Sequence, residues 1–428
     1  MSAADTSGLA KGLVADDLPA WTIQCHAANL MPLSGPVGPE GSKGLDELGC
    51  VWFGGTQEGV ADISVWFSRK SLTRPGATWS EPVALSNDAE RSEQNPILFP
   101  APDGALWLLH TAQRSGNQDT AIVRCRRSTD GGKTWSAPEP LFPGTGVFVR
   151  QPVVVQGDDW LLPIFHCRTA PGVRWSGDND DSAVMISSDR GRTWREHAVP
   201  QSTGCVHMSI VEGHNGGPLV AFYRSRWADN VYRSTSNDGG RTWSAPVPTS
   251  LPNNNSSIQV TRLASGRLAI VFNNISAAQA TERRVSLYDE IEDDEDAGTV
   301  YPEPSSSVRP EPVEGPRTSK GFDKLSPNGQ GLSPDGDAAR TAFWGTPRAP
   351  MTVALSDDDG LTWPHRRDIE TGDGYCMTNN SADRRNRELS YPSIVQTADE
   401  TLHAAYTHHR QRIRHVSFTE AWVMETAR

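Results

Sequence analysis

An eight-residue pattern, Ser-x-Asp-x-Gly-x-Thr-Trp, occurs four times in this chain, as STDGGKTW, SSDRGRTW, SNDGGRTW and SDDDGLTW. Recurrence of one short unit along a chain is typical of repeat architectures, in which no unit can bury its apolar face alone. Each copy follows a short alternating run such as SAVMISS or MTVALS, which indicates a strand, a tight turn and a second strand. The pattern therefore predicts stacked antiparallel sheets.

The residues of the pattern have an evident structural use. An aspartate side chain can accept hydrogen bonds from the amides of its own turn, glycine supplies a positive φ, and tryptophan packs between neighbouring sheets. We therefore interpret the four boxes as turns that stabilise the fold, and not as catalytic or metal-binding aspartates.

Two degenerate copies end at Trp79 and Trp422, so that six tryptophans follow one another at intervals of 49 to 59 residues, with one interval of 120. The long interval contains residues 288–340, which are rich in Pro, Ser, Gly and acidic residues and predict a disordered or loosely packed insertion. Six units of four strands predict an all-β, six-bladed β-propeller of four-stranded antiparallel blades with Asp-box turns. We expect residues 1–20 to form an N-terminal extension and residues 21–428 the propeller.

Composition limits the partners of the chain. The formal charge of −12 argues against nucleic acid and against an anionic membrane. The six cysteines occur singly, without a C-x-x-C pair, so neither a zinc site nor a disulfide framework is indicated. No cofactor motif is visible, and we expect no cofactor and no metal. The first residues lack a signal-peptide pattern and no apolar run is long enough to span a membrane, so we expect a cytoplasmic protein.

The direction of the strands predicts where a site lies. If strand one of each blade descends the central channel and strand two returns, the boxes between strands three and four lie on the lower face. The starts of strand one and the ends of strand two then meet at the upper face, where a ligand in the channel mouth would contact them. One shared pocket explains why polar residues recur at these positions in all six units.

The predicted catalytic residues are His26, Glu58, His207, Glu388 and Tyr391. The predicted substrate-binding residues are Gln94, Asn95, Arg150, Gln151, His166, Arg224, Arg226, Asn254, Arg387 and His408. Among them, the arginines of blades three and four suit a carboxylate, which a guanidinium binds through two parallel hydrogen bonds.

The box, its spacing and the six-fold count resemble the sialidase superfamily, also called BNR or Asp-box proteins, over the whole chain outside residues 288–340. The resemblance implies a site in which three arginines hold the sugar carboxylate, a tyrosine assisted by a glutamate is the nucleophile, and an aspartate is the acid/base. Tyr391 in SYPSI lies in a comparable position, with Glu388 near it. His26 in CHAANL stands where this family has its first arginine.

The residues leave three functions open. In a sialidase-like hydrolase, exo-acting on a sugar that bears a carboxylate (sialic or uronic acid), Tyr391 attacks the anomeric carbon with help from Glu388 or Glu58. In a uronate lyase, Arg, Asn and Gln neutralise the carboxylate while His or Tyr moves the proton. A third possibility is a non-catalytic glycan-binding propeller. The blade count and Tyr391 favour the hydrolase, with an acidic glycan as partner; the sequence leaves the oligomeric state open.

Overall fold

The computed structural model describes residues 8–33, 46–170, 172–281, 284 and 340–425. These residues form 25 strands in six antiparallel sheets and one short α-helix, α1 (Glu420–Met424), which confirms the predicted all-β propeller of six blades. The predicted insertion at 288–340 lies, except for Arg340, outside the described residues. Within the described ranges, no helix is both long and apolar enough to cross a membrane.

The first five blades take consecutive strands, ordered from the central channel to the rim. Blade one contains β2 (Gln24–Leu33), β3 (Glu47–Gly55), β4 (Ser64–Ser71) and β5 (Val83–Ala84). Blade two contains β6 (Arg91–Pro100), β7 (Leu106–Arg114), β8 (Asn117–Ser128) and β9 (Glu139–Pro140). Blade three contains β10 (Val147–Val149), β11 (Val154–Gln156), β12 (Asp159–His166), β13 (Asp181–Ser187) and β14 (Arg195–Ala198).

The remaining blades follow the same plan. Blade four contains β15 (Cys205–Val211), β16 (Leu219–Ser225), β17 (Asn230–Ser236) and β18 (Val247–Pro252). Blade five contains β19 (Gln259–Arg262), β20 (Leu268–Asn273), β21 (Met351–Ser356) and β22 (His365–Glu370). Blade six contains β23 (Leu389–Gln396), β24 (Leu402–His408) and β25 (Arg412–Phe418), with β1 (Val14–Asp17) as its outer strand.

The N-terminal strand closes the ring. β1 pairs antiparallel with β25, with Val14 opposite Ser417 and Asp17 opposite Arg414. Asp17 also accepts hydrogen bonds from the guanidinium groups of Arg414 (2.9 Å) and Arg412 (3.1 Å). The sequence predicts an N-terminal extension over residues 1–20, outside the propeller; the structure differs, because residues 14–17 supply the fourth strand of blade six. The first and last strands of the ring thus lie in one sheet.

The Asp boxes are the turns between strands three and four, as predicted. In the third box, Asp238 accepts bonds from the amide (2.8 Å) and hydroxyl (2.6 Å) of Thr242. The Ser236 hydroxyl accepts the amide of Gly240, whose carbonyl accepts the indole N–H of Trp243 at 2.9 Å. The other three boxes repeat the Asp–Thr contacts. The aspartates are therefore engaged in their own turns.

Buried side chains fill the space between neighbouring blades. Trp107 of blade two and Trp160 of blade three meet edge to face at 5.6 Å between ring centroids, and Phe222 and Trp363 do so at 5.7 Å. Burial of one such side chain contributes about 2–3 kcal/mol. All six cysteines are buried and unpaired, as the sequence indicated.

Bulges near the start of the innermost strands bring polar side chains to the upper face. In blades one, two, four and six the pairing of strand one with strand two shifts register, each time beside a residue with positive φ: Ala27, Asn95, His207 and Tyr391, at 59°, 51°, 54° and 51°. Residues other than glycine reach this region at a cost of about 1–2 kcal/mol. Strain repeated at one place in several blades indicates a functional site.

Candidate active site

Tyr391 lies at the centre of a buried cluster. It belongs to the bulge of β23, and its side chain is 7% exposed. Its ring lies 4.2 Å from the ring of His26 in blade one and 5.6 Å from that of His207 in blade four, centroid to centroid. Two of the other four predicted catalytic residues, each from a different blade, therefore contact Tyr391.

Three guanidinium groups surround the Tyr391 ring. Arg224 donates a hydrogen bond from Nη1 to the phenolic oxygen at 2.6 Å, and its Nε is held by the Asn255 side chain at 2.8 Å. The guanidinium carbons of Arg150, Arg224 and Arg348 lie 5.6, 5.5 and 5.6 Å from the ring centroid. Three positive charges therefore lie around this tyrosine.

A network of ion pairs surrounds Glu388. Its Oε1 accepts hydrogen bonds from Ser390 (2.7 Å), Arg410 Nε (3.0 Å) and Arg348 Nη1 (3.3 Å). Arg410 also binds the carboxylate of Glu58 from blade one. Burial opposes ionisation of Glu388, but Arg410 and Arg348 lower its pKa below the ordinary value. In this network two arginines face two glutamates, so the formal charges cancel.

A second buried ion pair lies beside the cluster. Arg226 donates to Oδ2 of Asp180 from Nε (2.9 Å) and Nη2 (2.6 Å). Its guanidinium carbon lies 5.3 Å from the ring centroid of Trp175 and 5.0 Å from that of Trp344. Because Asp180 neutralises it, Arg226 contributes little charge to the pocket.

Two arginines of the cluster lack such compensation. Among the described residues, neither Arg150 nor Arg224 forms an ion pair with a carboxylate, and Nε and Nη1 of Arg150 and Nη2 of Arg224 have no hydrogen-bond partner. Burial lowers the pKa of Arg150 to about 10 and that of Arg224 to about 9. Both therefore remain charged at neutral pH. The region around Tyr391 carries excess positive charge and suits an anion.

The two histidines of the cluster are neutral at physiological pH. Burial and the neighbouring arginines hold the pKa values of His26 and His207 well below their ordinary range. His26 Nδ1 lies 2.8 Å from the Thr407 hydroxyl and 3.7 Å from Glu388, whereas its Nε2 has no partner among the described residues. A neutral imidazole offers one donor and one acceptor. Either ring can thus exchange a proton with a bound ligand. In the part of the chain that the structure describes, no group of His, Cys, Asp and Glu could hold a metal ion.

Several predicted substrate-binding residues are buried near the channel but bond to protein groups. Gln94 donates to the Ser92 hydroxyl at 2.9 Å, and Gln151 donates to the Ile258 carbonyl at 2.6 Å. Asn254 donates to the Pro347 carbonyl at 2.7 Å, while its neighbour Asn255 makes the contact with Arg224. Asn95 is 5% exposed and occupies the bulge of blade two.

Three other predicted residues lie apart from the cluster. Arg387 is half exposed and pairs with Asp373. His166 lies between Asp181 (2.8 Å) and Glu196 (3.4 Å) on blade three, and His408 bonds to Glu370 in a network with Arg414. Their strand-end positions place them at the upper face, but their side chains point into other contacts.

Sequence reasoning missed Arg348 and Asn255 and did not select Arg410. Arg348 precedes strand three of blade five, a position that a search of strand-one starts and strand-two ends omits. Asn255 and Arg410 follow the expected rule, and only their contacts distinguish them from Asn254 and His408. The run NNN and the phrase THHR were the available signals.

The fold and the site define an Asp-box β-propeller with a buried tyrosine among arginines near the start of its innermost strands. Residues 46–404 match the family described as BNR repeat-like domain, and the chain belongs to this family. It is 24% identical over 370 residues to a sialidase of Micromonospora viridifaciens, covering 77% of this chain and 51% of that protein. It is 26% identical over 199 residues to a sialidase of Bacteroides fragilis (strain YCH46), covering 33% and 36%. The chain thus spans about half or less of these curated relatives.

Solved structures show the same fold at low identity. The Hadza microbial sialidase Hz136 aligns with a TM-score of 0.61 and 13% identity over 94% of this chain and 67% of that one. The intramolecular trans-sialidase from Ruminococcus gnavus aligns with a TM-score of 0.60 and 12% identity over 97% and 99% of the two chains. The resemblance to the sialidase superfamily is confirmed at the level of family and fold.

Proposed function

We propose that this chain is a sialidase-like glycoside hydrolase that removes a terminal sugar bearing a carboxylate, either a sialic or a uronic acid. The observation that carries the proposal is the contact of 2.6 Å between Arg224 Nη1 and the Tyr391 phenolic oxygen, because the guanidinium group of Arg224 is buried and has no carboxylate partner among the described residues. A substrate carboxylate would supply the missing negative charge through charge-assisted hydrogen bonds.

Tyr391 acts as the nucleophile in this proposal. Its oxygen bonds to the anomeric carbon while the bond to the leaving oxygen breaks, and the phenolic proton passes through a neighbouring histidine to the leaving oxygen. Water then attacks the anomeric carbon, releases the sugar and returns a proton to the tyrosine. Arg224 holds the phenolic oxygen by its hydrogen bond and places a positive charge beside it. Among the described residues, no carboxylate contacts the phenolic oxygen, so we assign removal of its proton to a histidine and not to Glu388 or Glu58.

The other cluster residues take supporting roles. Glu388 and Glu58 fix Arg348 and Arg410, and so hold one guanidinium against the Tyr391 ring. His26 and His207, both neutral and both in contact with that ring, are the candidates for the group that accepts the phenolic proton and passes it to the leaving oxygen. The small exposed fraction of Tyr391 supports action on a chain end, since an internal sugar needs an open cleft.

The test is a substrate screen with the purified full chain. Fluorogenic sialosides and glucuronides report hydrolysis, and uronic-acid oligosaccharides report elimination through the ultraviolet absorbance of a new C=C bond. We expect released sugar without absorbance, reduced about 10³-fold or more in Tyr391→Phe. The matched control is Tyr375→Phe, which alters a tyrosine whose hydroxyl bonds to the exposed Arg385.

Other outcomes would redirect the assignment. Rising absorbance would establish a lyase, and binding of sialosides or uronides without product in either assay would establish a glycan-binding propeller. Full activity in Tyr391→Phe would remove the tyrosine from the mechanism.

A further inference from the structure

The innermost strand of blade three is broken at the height of the site. β10 ends at Val149 and β11 begins at Val154, and Arg150 and Gln151 between them lie outside the sheet. The Nη2 group of Arg150 donates to the carbonyls of Ala28 (2.9 Å), Tyr391 (3.1 Å) and Pro392 (3.2 Å). An arginine of blade three therefore contacts the backbone of blades one and six, across the channel.

Two of these carbonyls, those of Tyr391 and Pro392, lie in the bulge of β23, outside the regular hydrogen-bond pattern of the sheet. The pairing of β23 with β24 shifts register between Ser390 and Ser393, so the backbone of the two intervening residues falls outside the regular ladder. Pro392 has no N–H to offer, and a buried carbonyl without a donor is costly. Arg150, 1% exposed, supplies the donor.

The bulge also fixes the direction of the tyrosine ring. Tyr391 has φ of +51°, a left-handed conformation that costs a residue with a side chain about 1–2 kcal/mol. A proline after it further restricts its backbone. The hydrogen bonds from Arg150 hold the carbonyl of this strained peptide and so oppose relaxation toward a regular strand.

We propose that Arg150 is a positioning residue: it crosses the channel to hold the backbone of Tyr391 and Pro392, and thereby sets the place of the tyrosine ring between His26, His207 and Arg224. Sequence reasoning assigned Arg150 to the substrate carboxylate; in this proposal its main ligand is the protein backbone. The placement of Tyr391 by Arg150 follows from these contacts alone, whereas any effect of Arg150 on catalysis rests on the proposed function.

The first test needs no substrate. The full chain is labelled with ¹³Cζ-tyrosine, and the Tyr391 resonance is identified by its loss in Tyr391→Phe. The variants are Arg150→Met, Arg150→Lys and the control Gln259→Met. Gln259 also reaches blade six, where its Oε1 accepts Ser393 Oγ (2.7 Å) and the Ile394 amide (2.6 Å), but it does not contact Tyr391. We expect the Tyr391 resonance to shift or broaden in both Arg150 variants and to stay in place in Gln259→Met.

The second test uses whichever substrate the screen identifies. A displacement of about 1 Å at a reacting group costs about 10²-fold in rate, so we expect both Arg150 variants to lose about that factor in kcat with KM within about threefold of the wild type. If Arg150→Met does not fold, Arg150→Lys remains, since an ammonium can reach one carbonyl but lacks the planar fork.

The outcomes separate the two proposals. An unchanged Tyr391 resonance in Arg150→Lys or Arg150→Met overturns the positioning role, as does a raised KM with unchanged kcat, which is the sign of substrate binding. Silence of the wild type on every substrate refutes the proposed function, while the labelled tyrosine still decides the role of Arg150.

Discussion

Breaking the buried pair between Asp180 and Arg226 is the most informative perturbation of stability. The two side chains are 0% and 3% exposed. Asp180 Oδ1 also accepts the indole N–H of Trp175 at 2.8 Å. Asp180→Asn keeps the shape and removes the charge, which leaves Arg226 as an uncompensated cation near Arg224.

The expected magnitude follows from the asymmetry of buried ion pairs. Removing one partner of such a pair costs about 3–5 kcal/mol, because the remaining charge stays desolvated, whereas replacing both by apolar residues is often nearly neutral. Burial raises the pKa of Asp180 in spite of the opposing effect of Arg226, which shows how much desolvation weighs here. We expect a loss of about 4 kcal/mol in Asp180→Asn and less than about 2 kcal/mol in the double variant Asp180→Leu, Arg226→Met.

Urea unfolding followed by tryptophan fluorescence measures these differences. The control is Asp373→Asn, which breaks the pair with Arg387, where the two side chains are 57% and 50% exposed. A surface pair of this kind contributes at most about 1 kcal/mol. If Asp180→Asn costs no more than Asp373→Asn, or if the double variant is less stable than Asp180→Asn, the reasoning from desolvation is refuted.

Three further predictions concern the turns, the acid response and the ring closure. Gly360→Ala would place a Cβ 2.3 Å from the Phe222 ring at a residue with a φ of +82°. We expect the free energy of unfolding in urea to fall by about 3 kcal/mol or more. The control is Gly131→Ala, whose Cβ meets nothing within 4 Å and which should cost about 1 kcal/mol. Burial, and secondly His415, lower the pKa of His403 to about 4 from 6.5. Between these two pH values the unfolded chain binds more protons than the folded one, so the free energy of unfolding falls as the pH decreases. From pH 7 to pH 5 we expect the free energy of unfolding of His403→Asn to fall by about 2 kcal/mol less than that of the wild type. Equal decreases in the two proteins would contradict this. Removal of residues 1–17 exposes the edge of β25, and an exposed strand edge favours association between chains. We expect light scattering to detect self-association of this variant at a concentration where the full chain is a single species. An unchanged scattering profile would show that the edge is protected in another way.

The fold was predictable because its signal is local. Each box encodes its turn within eight residues, and the number of boxes and their spacing give the number of blades. The outer strand of blade six was not predictable in this way, since Val14–Asp17 finds its partner about 400 residues away in the chain. No periodicity within the first twenty residues reveals such a pairing.

The site was predictable as a place and less so as a set of contacts. Strand direction selected Tyr391, His26, His207, Arg150 and Arg224, which the structure brings together. It could not separate Glu388 from Arg387, although adjacent residues near a strand point to opposite sides and only Glu388 is buried. It could not tell that Asp180 neutralises Arg226 while Arg224 stays unpaired. Such distinctions depend on side chains from other blades, and a single sequence contains no information on which blade supplies them.

The closure of the ring by β1 also has a consequence for synthesis. β1 is translated about 400 residues before its partner β25, so blade six stays incomplete until β25 has emerged from the ribosome. Blades one to five can form in the order of translation, each packing on the preceding one. During this time β1 lacks the partner strand β25 for its backbone hydrogen bonds. Closure of the ring therefore follows synthesis of all six blades, and it joins residues about 400 positions apart in the chain, a separation that slows folding.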